Sequence, residues 1–244
     1  MAIRVQYCGQ VMNLSLGRSG AAWILLCGLA QTLFGVSAQG SVAISQPAAV
    51  AANCRRVVLV HGIYNSGKRM SGMKRYLEAR GWQVYAVSIK PNDASITFEA
   101  MGKQLADYIH ANIPDGEKFD LVGFSMGGLV SRYYVQKMDG YRRVRRFVTL
   151  SAPNHGTAWA CLGWLPGVRQ MRPGSPMLRD LNGDMSKLEP LGYTSIYTPM
   201  DLSIIPAISS RMPVGRNVVL WVPLHPLMTM LPRPLNAVEQ ALTD

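Results

Sequence analysis

From Arg55 onward the chain alternates short unbroken apolar runs with segments whose apolar residues recur every three or four positions. Val57-Val58-Leu59-Val60 is the first run. It is too short for a helix and rich in β-branched residues, so it predicts a strand buried on both faces. Further strands are predicted at 82–89, 119–123, 144–150, 193–197 and 217–222. Helices are predicted at 66–80, with Gly81 as its stop, at 95–112, at 126–138 and at 234–242. In the second of these, Phe98, Met101, Leu105, Tyr108 and Ile109 fall on one face. Strands separated by helices imply βαβ units and a mainly parallel sheet of about six strands with helices on both faces.

One stretch breaks the alternation. Residues 159–192 hold Pro166, Pro173, Pro176 and Pro190, four glycines before Gly192, and scattered Met, Leu and Trp. A connection of this length is usually functional or disordered. The expectation is an irregular, apolar, cap or lid-like insertion beside the site.

The N-terminal residues have a different character. An apolar run of 16 residues at 21–36 follows Arg4 and Arg18 and ends in Val36-Ser37-Ala38. That is the layout of a secretory signal peptide, and the run is short for a membrane span. The expected organisation is a signal peptide at 1–38, a linker at 39–54 and one catalytic domain at 55–244, in an exported protein. An uncleaved N-terminal membrane anchor is the alternative. Cleavage would leave Cys54 and Cys161, which an oxidising compartment would allow to pair.

Charge adds a partner class. The formal net charge is +11, and removing residues 1–38 removes two arginines and no acid, leaving about +9. A basic exported protein suits anionic head groups, so transient contact with a membrane or lipid interface is expected. Nucleic acid is not, because no binding motif accompanies the charge. Arg142, Arg143, Arg145 and Arg146, just before a predicted strand, read as solvated strand-edge residues.

The candidate chemistry centres on Gly123-Phe124-Ser125-Met126-Gly127. A Gly-x-Ser-x-Gly pentapeptide between a strand and a helix forms a sharp turn that lifts the serine hydroxyl above the sheet. Such a serine needs a base, and the base needs an orienting carboxylate. His155 and His225 are the histidines that follow Ser125. His225 comes after the last predicted strand, where the base belongs, which leaves His155 as a structural or pocket-rim residue. Asp201, 24 residues before His225, follows the preceding strand, whereas Asp180, Asp184 and Glu189 lie in the insertion. The oxyanion donors are then the N–H of Met126 and that of Ile63 in the loop His61-Gly62-Ile63-Tyr64, with Tyr64 as second choice.

Taken together, Val60-His61-Gly62-Ile63, Gly123-Phe124-Ser125-Met126-Gly127-Gly128-Leu129-Val130, Ser151-Ala152-Pro153-Asn154-His155-Gly156-Thr157, and Thr194-Ser195-Ile196-Tyr197 with Asp201 resemble the small secreted bacterial lipases of the α/β-hydrolase superfamily. The resemblance implies a minimal α/β-hydrolase fold and hydrolysis of carboxylic esters, lipid or acylglycerol esters above all, with no metal or organic cofactor. It places the nucleophile at Ser125, the acid at Asp201, the base at His225, and the oxyanion donors at Ile63 and Met126. Two other functions fit the same residues. One is an acyltransferase or thioesterase acting on envelope lipids. The other is a non-catalytic binding scaffold, which loss of a triad member would signal, yet all three are present.

Overall fold

The structure, a computed structural model, describes residues 2–7, 10–15 and 55–244. In the first unit, strand β1 (Ala2–Tyr7) pairs antiparallel with β2 (Gln10–Ser15), Ala2 opposite Ser15. The sequence reading assigns no strand there. The apolar run 21–36, the expected cleavage point, the linker and Cys54 lie outside the described residues. Cys161, the other half of the expected pair, is exposed.

The second unit, residues 55–244, is built on β3 (Arg55–Val60), β4 (Trp82–Val87), β5 (Phe119–Phe124), β6 (Val144–Leu150), β7 (Thr194–Tyr197) and β8 (Arg216–Val219). They lie in the order β4-β3-β5-β6-β7-β8, and every neighbouring pair is parallel. The expected mainly parallel sheet is therefore parallel throughout. Side chains alternate across it, as the two-residue period of a strand requires. Val58, Val60, Leu121 and Phe147 join a core on one face, while Val57, Leu59, Val122 and Val148 join a core on the other.

Helices cover both faces. Met73 and Leu77 of α1 (Ser71–Glu78) belong to the second core; Phe98, Met101 and Leu105 of α2 (Phe98–Asn112) and Leu129 of α3 (Met126–Lys137) belong to the first. Thr97 caps α2 by accepting from the Ala100 N–H, which satisfies one of the donors left free at a helix start. Gly81, at φ 88°, turns the chain out of the α1 segment.

The insertion is more ordered than its composition suggests. It contains α4 (Pro166–Gln170) and α5 (Pro176–Gly183), flanked by 3-10 turns at Ala158–Leu162 and Glu189–Leu191. Pro166 and Pro176 open helices, because the first helical position needs no N–H donor. Ser175 caps α5 through Leu178 N–H, and Met177, Leu178 and Leu181 bury its inner face. The expectation of an irregular insertion is corrected accordingly. The last helix, α6 (Pro232–Thr243), also opens on a proline, two residues before the expected start.

Strand order reverses between β3 and β5, so the loops leaving their C-terminal ends diverge and open a crevice. Open parallel sheets bind ligands at such a point. Among the described residues, no helix is long and apolar enough to cross a membrane.

Candidate active site

Ser125 sits between β5 and α3 with φ 55° and ψ −127°, a region L-residues rarely adopt. Its N–H is fixed to Leu150 O at 2.9 Å. The turn closes because a Cβ at Gly123 would stand 2.6 Å from Gly127 O, and one at Gly127 would strike His61 O. The glycines on either side of the serine are thus demanded by backbone contact. Strain there holds the hydroxyl at the crevice and points the N-terminus of α3 toward it.

Asp201 follows β7 and His225 follows β8. His225 Nδ1–H donates to Asp201 Oδ2 at 2.7 Å, with both side chains buried. The other carboxylate oxygen, Oδ1, accepts from Ser203 N–H at 2.9 Å and Ile204 N–H at 3.0 Å, so the acid is held at both ends. The His225 ring packs on Phe124, with centroids 4.8 Å apart. Thr198 sets the spacing of the two loops: its hydroxyl donates to Val222 O at 2.8 Å and accepts from Val222 N–H. That tie joins residues three positions before Asp201 and three before His225. It gives nothing away in the sequence, where Thr198 is one small polar residue among several.

The loop expected to supply an oxyanion donor leaves β3. Tyr64 N–H is committed to Asn92 O at 2.7 Å, which removes it as a donor and leaves Ile63. His61 is buried; its Nδ1–H donates to Gly62 O at 2.8 Å, and its Nε2 accepts from Ile89 N–H at 3.0 Å. In a trans peptide the C=O and N–H point in opposite directions. Holding Gly62 O therefore fixes the direction of Ile63 N–H. Met126 N–H, at the first position of α3, has no partner within its own helix.

Burial holds the His61 imidazole below its usual 6.5, against the opposing pull of the hydrogen bond to Gly62. The folded protein keeps it neutral, while the unfolded chain protonates it near 6.5. Its contribution to stability is complete above that pH and is lost as pH falls through it toward the lower folded value. In urea titrations between about pH 8 and pH 5, His61→Gln is expected to lose less stability on acidification than the wild type. An equal acid loss in both would remove His61 from this role.

Ser125, His225, Ile63 and Met126 line one cavity of about 400 Å³. Its walls are largely apolar, with Phe124, Trp159, Ala160, Val168 and Met171 among them, and no carboxylate is present in the lining. The insertion thus contributes Trp159, Ala160, Val168 and Met171 to the wall. Of the other apolar residues near the site in sequence, Trp164 and Leu224 face solvent and Met228 is in the core behind α1.

His155 lies away from this cavity. Its Nε2 bonds Arg211 O at 3.0 Å and its Nδ1 accepts from Asn182 at 3.2 Å, so it braces the loop after β6 against α5. The rival acids are also elsewhere: Asp180 pairs with Lys137, and Asp184 bonds Ser186.

Arg132 is the residue the sequence did not single out. It is fully buried in α3 and has no carboxylate partner among the described residues, and burial pushes its pKa down to about 10. Its guanidinium donates to Leu181 O at 2.9 Å, Asn154 O at 3.2 Å and Gln136 Oε1 at 3.1 Å. Gln136 itself donates to Leu181 O and Asp184 O. The cation is stabilised in part by the Leu181 carbonyl in the last turn of α5, where the helix dipole is negative. It fastens the insertion to the helix that follows Ser125. The strand-edge arginines also serve structure: Arg145 pairs with buried Asp120, and Arg146 donates to Leu242 O and Thr243 O at the end of α6.

A family model described as palmitoyl protein thioesterase matches residues 56–186. Palmitoyl-protein thioesterase 3 of Dictyostelium discoideum is 24% identical over 122 residues, which cover 47% of this chain and 42% of that protein. A triacylglycerol lipase of Burkholderia plantarii is 28% identical over 136 residues, covering 50% and 37%. The matches thus span less than half the length of either curated relative. The crystal structure of mature Bacillus licheniformis lipase BlEst2 superposes with a TM-score of 0.61 at 18% identity, covering 78% of this chain and 92% of that one. The fold is the α/β-hydrolase fold.

Proposed function

The chain belongs to the palmitoyl protein thioesterase family, and on that premise we propose that it hydrolyses fatty acyl esters through an acyl intermediate on Ser125. The observation that carries this reading is the Asp201–His225 pair at 2.7 Å, with His225 and Ser125 lining one apolar cavity. Ser125 Oγ attacks the acyl carbonyl carbon and passes its proton to His225 Nε2. Asp201 stabilises the imidazolium through Nδ1. The carbonyl oxygen, now anionic, takes the N–H groups of Ile63 and Met126. Collapse breaks the bond to the leaving group, which takes the proton from His225. A water then repeats the sequence on the acyl-enzyme and releases the fatty acid. No step calls for a metal or an organic cofactor.

Carboxylic esters of lipids are the main substrate class. The family match and the Dictyostelium relative also favour a thioester reading. A thiolate leaves without much proton help, since its conjugate acid has a pKa of about 8.5, so the same residues serve both substrates. The apolar run ending in Val36-Ser37-Ala38 supports placing the activity outside the cytoplasm.

The test is kcat/KM for p-nitrophenyl esters from acetyl to palmitoyl, alongside palmitoyl-coenzyme A. Rates are expected to climb from acetyl toward the longer chains, with the thioester cleaved as well. A peak at acetyl would overturn the fatty acyl assignment. Transfer to an added alcohol with little free fatty acid would replace hydrolysis by acyl transfer.

A further inference from the structure

The cavity mouth is ringed by large apolar side chains that face solvent. Trp159 (54% exposed), Leu162 (73%), Leu202 (70%), Tyr64, Ile205 and Leu224 are all exposed. Trp159 lines the cavity, and the other five lie within two residues of lining positions: Ile63 and Asn65, Ala160, Ser203 and Ile204, and His225. Two of the ring elements are joined directly, since Trp159 Nε1–H donates to Leu202 O at 2.7 Å. Exposed apolar residues scattered singly need no explanation, but six gathered beside one cavity mark a contact surface.

Cations stand beside this rim. Arg69 lines the cavity next to exposed Lys68, and Arg172 donates to the carbonyl of Ala160, a lining residue. Among the described residues none of the three is in an ion pair; Arg69 and Arg172 reach only backbone carbonyls. Residues 1–54 hold two of the 25 Lys and Arg and none of the 14 Asp and Glu, which leaves a formal +9 on residues 55–244. A second copy would bring the same positive charge to the rim. An anionic lipid surface would bring phosphates to the cations and acyl chains to the apolar ring.

We propose that this rim docks the cavity mouth onto a bilayer containing anionic lipid, so that an acyl chain passes from the bilayer to Ser125 without crossing water. The passage of the chain rests on the fatty acyl reading above; the docking itself does not.

The probe is the full chain carrying Ser125→Ala, mixed with vesicles of brominated phosphatidylcholine alone or with brominated phosphatidylglycerol added. Quenching of Trp159 is taken as the difference from a Trp159→Phe partner, which subtracts the other tryptophans, including Trp23 in the apolar N-terminal run. Trp159 is expected to be quenched on the anionic vesicles and not on the neutral ones. Lys68→Gln with Arg69→Gln should weaken that partition on the order of tenfold. Leu162→Ser with Leu202→Ser should abolish the quenching, yet with Ser125 present should keep hydrolysis of a soluble short-chain ester, which shows that the fold is intact. No quenching on anionic vesicles, or equal quenching on both, would overturn the proposal. So would lipid-free self-association that the leucine pair removes, since the occupant would then be a second copy. Failure to cleave any ester, with quenching preserved, would overturn the hydrolase reading and leave the docking surface standing.

Discussion

Ser125→Ala is expected to lower ester turnover on the order of 10⁶-fold while leaving the melting temperature nearly unchanged. The hydroxyl is the atom that forms and breaks the acyl bond, so nothing nearby substitutes for it. The buried turn is otherwise preserved, because alanine keeps the same Cβ at the same φ of 55°. What activity persists would come from the oxyanion donors and from binding alone. Single-turnover assays with p-nitrophenyl esters measure the loss. Retention of activity within tenfold of wild type would remove Ser125 as nucleophile.

The second large effect is expected at Asp201. Asp201→Asn is nearly isosteric and keeps a carbonyl oxygen able to accept from Ser203 and Ile204 N–H. Its amide then faces His225 Nδ1 as a donor. That reverses the hydrogen bond and puts the imidazole proton on Nε2, the nitrogen that must receive the serine proton. In comparable triads this costs about 10⁴ in kcat. The loss should fall in kcat rather than in KM, since the cavity lining is untouched. Asp180→Asn, altering an exposed pair with Lys137, is the matched control. A loss below tenfold at Asp201 would mean that the orienting carboxylate lies elsewhere.

The sheet was legible because its central strands are largely buried on both faces, and an unbroken run such as Val57–Val60 has few other uses. The positions of Ser125, Asp201 and His225 followed from strand order, since each comes just after a strand end. The insertion was misread for a definite reason. Proline reads as a breaker within a helix and as a starter at its first position, and only the structure shows which applies at Pro166 and Pro176. Arg132 and Thr198 were illegible in another way. Their partners are backbone carbonyls at Leu181, Asn154 and Val222, and a carbonyl has no letter in the sequence. The bond from Tyr64 N–H to Asn92 O, which sets the second-choice donor apart from Ile63, is to a carbonyl as well.

The short β8 strand has a consequence for how the protein fails. It lies at the edge of the sheet, spans four residues, and leads to the loop that carries His225. Ser125 stands at the end of β5, deep in the sheet. An edge strand bonded on one side only is among the least protected parts of a fold. Fraying confined to that margin would part His225 from Asp201 while the central strands stay paired. Inactivation and denaturation are then two separate events, and a sample can be fully folded by every bulk spectroscopic measure and still be catalytically silent.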